Sequence, residues 1–280
     1  MKVLVTGAAG LLGSEVTAAL APAHEVLAAD IDAFDVTDLD ATLRACRDAR
    51  PAAIVHCAAF ADVDGAESRE LEAFRVNAIG ARNVALAANE TGARLIHIST
   101  DYVFNGRSPR PYIESDAADP QSVYGRSKWM GEVFVRELAR DFTIVRTQAL
   151  YGRRGPSFPR AILARAERGE PLRVVDDQTV CPTRAADLAR TLARILEEGI
   201  PGTCHASSRG ECTWYVFACE ILRQCGRADH PITPVTTAEF PRPAPRPAYS
   251  VLRNLHLELT IGDTMPHWAD AVARHFREPS

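Results

Sequence analysis

Lys2-Val3-Leu4-Val5-Thr6-Gly7-Ala8-Ala9-Gly10-Leu11-Leu12-Gly13 decides the fold. A short apolar run stops at a glycine, and glycines recur at every third position up to the start of a segment with helical spacing. A strand that turns through glycine into a helix lets the backbone approach a pyrophosphate closely. Free N–H groups at the helix N-terminus then face the phosphates. The spacing is G-x-x-G-x-x-G and not G-x-G-x-x-G, so as a bare pattern it is weak; its strand–turn–helix setting gives it weight. The same opening holds one lysine and no cleavage-like stretch, and reads as a strand and not a leader.

Outward from this turn, apolar strand-like runs at 2–6, 25–29, 53–57, 95–99 and 143–146 alternate with helical spacing at 11–20, 39–49, 70–89 and 123–138. Asp38 is placed to cap the second helix. Strands without clean two-residue alternation are those covered by helices on both faces. The fold class expected is α/β: a Rossmann-type doubly wound parallel sheet with a smaller C-terminal α/β substrate-binding domain. The boundaries expected are 1–152 for the dinucleotide-binding part and 153–280 for the mainly substrate-binding part, some of whose segments return to the first. Beyond Tyr151 the rhythm gives helices at 158–168, 185–197 and 213–225, strands at 172–175 and 203–206, and an amphipathic end at 268–276. On composition alone the proline-rich stretch Pro241–Pro247 reads as a linker, because proline removes backbone donors.

The chain has 280 residues, 46% apolar and 24% charged, with a formal net charge of −4. That balance excludes nucleic acid or an anionic membrane as the main partner. No apolar run approaches the roughly 18–20 residues of a membrane span. The seven cysteines are scattered with no Cys-x-x-Cys pair, which fits a reducing cytoplasm without disulfide or zinc. No metal is expected.

Asp30 ends the second strand, where a carboxylate accepts from ribose hydroxyls. Asp32 adds negative charge, and no basic residue stands between it and Arg44. A 2′-phosphate meets repulsion there, so NADH is favoured over NADPH. Asp35 and Val36 are candidates for the adenine ring. Tyr124-Gly125-Arg126-Ser127-Lys128 places a phenol and an ammonium four apart on one helix face. On this reading Lys128 lowers the Tyr124 pKa and makes the phenol an acid–base group near neutral pH. Ser99-Thr100-Asp101-Tyr102-Val103-Phe104 lies at the carboxyl end of a strand, where open α/β sheets bind ligands.

Together these segments resemble the extended short-chain dehydrogenase/reductases, and within them the dTDP-4-dehydrorhamnose reductase family. The likeness continues through Arg146-Thr147, Tyr151-Gly152, Asp177-Gln178, Pro182-Thr183, Thr213-Trp214-Tyr215, Arg246–Leu252 and Trp268. It revises the linker reading of the proline-rich stretch, which resembles an ordered loop that the family brings to its substrate site. It implies a catalytic set of Thr100, Tyr124 and Lys128, with hydride passing from NADH or NADPH to the C4 ketone of a nucleotide-activated 6-deoxysugar. Gly7, Gly10, Leu11, Leu12, Gly13, Asp30, Asp35, Val36, Ala59, Phe60, Ala61 and Asn77 would line the dinucleotide together with Tyr124 and Lys128. Thr100, Asp101, Phe104, Ala149 and Arg246 would face the sugar nucleotide. One departure stands out: the family's Arg-Thr-Ser-Trp-Val-Tyr reads Arg146-Thr147-Gln148-Ala149-Leu150-Tyr151 here. Ala149 cannot supply the tryptophan's surface, which leaves the exact sugar open.

Two other readings compete, a nucleotide-sugar epimerase or dehydratase and a non-catalytic dinucleotide-binding regulatory subunit. Dehydratase relatives carry Asp-Glu after the threonine, whereas Asp101-Tyr102 follows Thr100 here. An intact Thr100/Tyr124/Lys128 set speaks against a purely binding role. His56 and His97 read as packing residues, Trp214 and Tyr215 likewise, and Cys181 as a cleft residue with no base to activate it. Arg146 is balanced between an anionic substrate and a structural salt bridge. A homodimer is an option left open.

Overall fold

The β-branched and leucine-rich runs of the first half pair into one sheet. The computed structural model describes residues 1–277. In chain order the first half comprises β1 (Lys2–Thr6), α1 (Leu11–Leu20), β2 (Glu25–Ala29), α2 (Leu39–Ala49), β3 (Ala53–His56), α3 (Val63–Ser68), α4 (Glu70–Phe74), α5 (Gly80–Thr91), β4 (Arg94–Thr100), α6 (Val123–Leu138) and β5 (Phe142–Thr147). After it come β6 (Leu150–Tyr151), α7 (Phe158–Glu167), β7 (Leu172–Val175), β8 (Thr179–Val180), β9 (Thr183–Arg184), α8 (Ala185–Glu198) and β10 (Gly202–His205). The chain closes with β11 (Cys212–Thr213), α9 (Trp214–Gln224), β12 (Ile232–Val235), α10 (Leu255–Leu259) and α11 (Trp268–Arg277).

Six strands form one sheet in the order β2-β1-β3-β4-β5-β10, every pair parallel. Alternate residues of each strand enter opposite faces. Val3, Val5, Val55, Ile96, Ile98 and Val145 pack under α1 and α8, while Leu4, Ile54, Leu95 and Ile144 pack under α5 and α6. Parallel strands covered on both faces need apolar residues at every position, which is why these runs lack alternation. On α1, Leu12, Val16 and Leu20 are buried at a spacing of four. Each such side chain contributes roughly 1.5–3 kcal/mol on burial. Asp38 caps α2 through the N–H of Ala41, and Ser122 caps α6 through that of Gly125.

Winding reverses between β1 and β3, and the crevice of a doubly wound sheet opens at such a point, outside the strand carboxyl ends. A second core gathers around Phe217 on α9, with the rings of Tyr151, Phe158, Trp214 and Trp268 about it. Here β12 runs parallel to β7. By contrast α8 and β10 return to the first core, β10 pairing with β5.

The expected single helix over 70–89 is interrupted. A π-turn at Arg75–Ile79 separates α4 from α5, and Asn77 lies inside it with its amide fully engaged. The amide oxygen accepts from the N–H of Phe60 at 2.8 Å, and its nitrogen donates to the Phe60 carbonyl and to Ser127 Oγ. An inserted residue of this kind re-aims a side chain without breaking the helix. The strand β12, the two-residue strands, α3 and α10 were also not foreseen. The proline-rich stretch leads into an ordered crossing, where Tyr249 N–H donates to the Gly106 carbonyl and Thr179 N–H to that of Ala248. No helix among the described residues is long and apolar enough to cross a membrane.

Candidate active site

A cleft of about 320 Å3 opens at the carboxyl ends of β1, β2 and β3. Thr6, Gly7 and Gly10 line it from the first turn, Asp30, Asp35 and Val36 from beyond β2, and Ala59 from beyond β3. Gly7 has φ +66°, and a Cβ there would lie 2.6 Å from Ala58 N. A Cβ on Gly13 would lie 2.1 Å from the Gly7 carbonyl oxygen, so any side chain there would push the turn apart. Gly10 precedes α1 and offers no side-chain cap, and the first turn of the helix holds no acid. Its leading N–H groups are therefore open to an anion. Asp30 is locked as a rim acceptor: Oδ2 takes Ala9 N–H and Oδ1 takes Ile31 N–H, both at 2.9 Å. Uncapped donors, a glycine cradle that a Cβ would fill and a fixed carboxylate are the parts that fit a dinucleotide.

Within the expected cofactor set, tasks differ. Leu12 is buried in the main core, and Leu11 lies beside Gly152, where a Cβ would sit 3.4 Å from it. Phe60 is buried with the Arg69 guanidinium 4.6 Å from its ring centre, whereas Ala61 is exposed. Asn77 acts through Phe60 and Ser127, since its polar atoms bond protein groups. Ala9, Phe34, Cys57, Ala58 and Val76 also line the cleft; their small or apolar side chains gave no signal in the sequence.

Thr100, the last residue of β4, has its hydroxyl donating to Asp101 Oδ1 at 3.0 Å and accepting from Tyr102 N–H. Tyr124, in the first turn of α6, is partly buried beside Thr100, and desolvation pushes its phenol up to about 12. This corrects the expectation that Lys128 lowers it. The Lys128 ammonium donates to the Ile98 carbonyl at 2.6 Å, and desolvation of the buried phenol outweighs any help from that cation. Burial also brings Lys128 down to about 8, against the pull of Glu132. Asp101 is likewise raised to about 6 by burial, opposed by hydrogen bonds from Ser250 and Thr100. The helix, the strand end and the loop at 250 thus place a protonated phenol, a hydroxyl and a carboxylate together, with the Lys128 ammonium one turn further along α6.

A second cleft, of about 280 Å3, adjoins this point. Tyr102, Phe104, Gly106, Gln121 and Arg246 are among its walls. Phe104 itself is nearly buried and stacks on Tyr112 at 4.3 Å. Arg246 is held by Asp64 at 2.9 Å, and Ala244 N–H also donates to Asp64. The proline-rich loop is thereby tied to α3. Ala149 adopts φ +44°, a left-handed conformation that disfavours a Cβ.

Arg146 does not face a substrate; it is buried and doubly bonded to Glu132 at 2.9 Å on both arms. His56 and His97 are buried and stacked, held neutral by burial, with the His56 ring 2.7 Å from Thr6 Oγ1. Cys181 is fully buried, its thiol pushed well up by burial. Trp214 packs on Phe158. Asp64, Ser250 and Glu132 were missed, because each meets its partner across a long stretch of chain with no spacing to betray it. Among the described residues no cluster of three or more His, Cys, Asp or Glu is placed to hold a metal ion.

A doubly wound sheet with this turn and a Thr-Tyr-Lys set defines an NAD(P)H-dependent oxidoreductase of the short-chain dehydrogenase/reductase class. The sequence model described as the RmlD substrate binding domain matches residues 1–279. The chain belongs to that family. It is 40% identical to the dTDP-4-dehydrorhamnose reductase of Mycobacterium tuberculosis, covering 100% of this chain and 93% of the relative. It is 43% identical to a probable dTDP-4,6-dihydroxy-2-methyloxan-3-one 4-ketoreductase of Streptomyces antibioticus, covering 99% and 95%. The structure of dTDP-4-dehydrorhamnose reductase from Bacillus anthracis in complex with NADP superposes with a TM-score of 0.96 at 38% identity, covering 100% and 99%.

Proposed function

We propose that the protein reduces the C4 ketone of a dTDP-activated 6-deoxysugar, in the first instance dTDP-4-dehydrorhamnose to dTDP-L-rhamnose. The observation that carries this reading is the Tyr124 phenol at the start of α6, partly buried and kept protonated by desolvation, beside the Thr100 hydroxyl at the end of β4. Bound NAD(P)H supplies the hydride. Every other task falls to the chain. Thr100 orients the ketone oxygen, and Tyr124 gives its proton to the alkoxide that develops there. A phenol raised to about 12 suits this direction, because it remains protonated at neutral pH until the alkoxide forms. Lys128 would hold the nicotinamide ribose, and its positive charge would offset the phenolate once the proton has left. Gly7, Gly10 and Gly13 admit the pyrophosphate, while Asp30 accepts from the adenosine ribose and favours NADH over NADPH. Asp101 contacts the sugar, and Arg246 supplies positive charge to the nucleotide.

The reading assigns residues 1–152 to dinucleotide binding and 153–280 mainly to the sugar nucleotide. The return of β10 to the sheet supports the exchange of segments between them. It also takes the enzyme as cytoplasmic, supported by seven free cysteines, and is compatible with a homodimer.

A second reading has one observation in its favour. Ala149 stands where the family's tryptophan contacts substrate, and this supports a differently substituted dTDP-4-keto sugar. Oxidation of NADH and of NADPH followed with a panel of 4-keto nucleotide sugars tests both. Turnover of dTDP-4-dehydrorhamnose supports the first, turnover of another 4-keto sugar alone supports the second, and no turnover of any contradicts both.

A further inference from the structure

One carboxylate ties the catalytic helix to two strands. Glu132 on α6 is fully buried and follows Lys128 by four residues, on the same face. It accepts both arms of Arg146 from β5, the Ser99 hydroxyl from β4, and the guanidinium of Arg136. Ser99 immediately precedes Thr100 and pairs in register with Arg146. The Arg146 guanidinium is itself packed against the rings of Phe104 and Trp129. The network therefore touches Lys128 through the helix and Thr100 through the strand.

Other groups around Lys128 carry no charge near neutral pH. His56 on β3 and His97 on β4 are held neutral by burial, Cys57 beyond β3 has its thiol raised to about 12, and Tyr124 on α6 remains a phenol. Glu132 is held below the ordinary carboxylate value, and so ionised at neutral pH, by its arginines and the Ser99 hydroxyl, against burial. It is the negative charge that faces this ammonium among them. The basic residues add a second, independent observation. Of 32 lysines and arginines, only Lys2 and Lys128 are lysine. An arginine at 128 would stay charged regardless of its surroundings, whereas an ammonium responds to them.

We infer that Glu132 is a positioning residue for the reduction, anchoring the Lys128 helix and the Ser99–Thr100 strand end to Arg146 and supplying the negative charge that faces the Lys128 ammonium. The role rests on the reductase reading for its consequence, but its physical content can be measured without substrate. With two lysines in the chain, lysine labelled with 13C at the ε-carbon gives two NMR signals, one from exposed-terminus Lys2 and one from Lys128.

The experiment titrates Lys128 in the wild type, in Glu132→Gln, in Arg146→Met, and in the Glu132→Gln/Arg146→Met double variant. The double variant avoids leaving Arg146 as an uncompensated buried charge, should the single one fail to fold. Removing the facing charge should lower the Lys128 midpoint from about 8 by about one pH unit or more in the folded variants. The alkaline limb of single-turnover NADH oxidation should move with it. A midpoint and a limb unchanged in Glu132→Gln, or in the double variant read against Arg146→Met alone, overturn the inference, since a purely structural loss lowers the rate equally at every pH. Absence of turnover in the wild type contradicts the proposed reaction instead, and leaves the lysine titration to judge Glu132.

Discussion

Tyr124 lies against Thr100 at the end of β4, while the Lys128 ammonium, one turn further along the same helix, is spent on the Ile98 carbonyl. The two halves of the Tyr-Lys pair thus serve different strand positions before any ligand arrives.

Tyr124→Phe keeps the ring, its burial and its packing, and removes only the proton donor. Its rate of hydride transfer should fall about 10²–10⁴-fold, with NADH affinity retained. Stopped-flow measurement at saturating cofactor and a fluorescence titration of NADH separate the two effects. An unchanged rate removes Tyr124 from the acid role.

Asp101 is raised from 3.8 to about 6 by burial. Between those values the folded state binds more protons than the unfolded one, so this group's contribution to stability falls as pH rises from about 4 to about 6 and stays low above that. At neutral pH the buried carboxylate costs up to about 3 kcal/mol. Asp101→Asn should therefore be more stable than the wild type at pH 7 by an amount approaching that figure, and the difference should shrink towards zero near pH 4. Its kcat/KM should fall at the same time. Urea unfolding at both pH values checks the first statement; a difference independent of pH contradicts it.

Asp30 has both oxygens fixed by backbone N–H groups, and exposed Ile31 follows it at the rim of the cleft. A 2′-phosphate meets that carboxylate with no cation among the lining residues. The ratio of kcat/KM for NADH over NADPH should be about tenfold or more, a difference of about 1.4 kcal/mol. Asp30→Ser with Ile31→Arg should invert the order. A wild type that prefers NADPH refutes the role given to Asp30.

Ala149→Trp restores an aromatic surface at the sugar site. If dTDP-4-dehydrorhamnose is the substrate, its KM should fall several-fold, in line with about 0.5–1.5 kcal/mol for an aromatic contact. A rise in KM for that sugar, with turnover of another 4-keto sugar lost as well, indicates that the small residue is there to make room. Steady-state kinetics on both sugars reads the outcome.

What was legible in the sequence is what the chain does locally. The glycine turn, the Asp38 cap and the Tyr124–Lys128 spacing each lie within a few residues, and each stands in the structure as a local feature. The π-turn around Asn77 was not legible, because one inserted residue barely disturbs an apolar pattern that otherwise repeats every 3.6. The partners of the site were hidden for another reason. Ser250 reaches Asp101, Asp64 holds Arg246, and Glu132 joins Arg146 only after the sheet has wound. The sign of the Tyr124 shift was also out of reach, since it depends on how deeply the phenol is buried. Resemblance carried the proline-rich loop, where composition alone had favoured a linker.

Deuteride transfer tests the central claim most directly. NADH carrying deuterium at both positions of the nicotinamide C4 is incubated with the enzyme and dTDP-4-dehydrorhamnose, and the sugar product is read by NMR. The account predicts deuterium on C4 of a dTDP-6-deoxysugar, bound to the carbon that was the ketone. If tests across the 4-keto sugar panel leave every C4 unlabelled, or if the label appears at another carbon, the enzyme is not a C4 reductase.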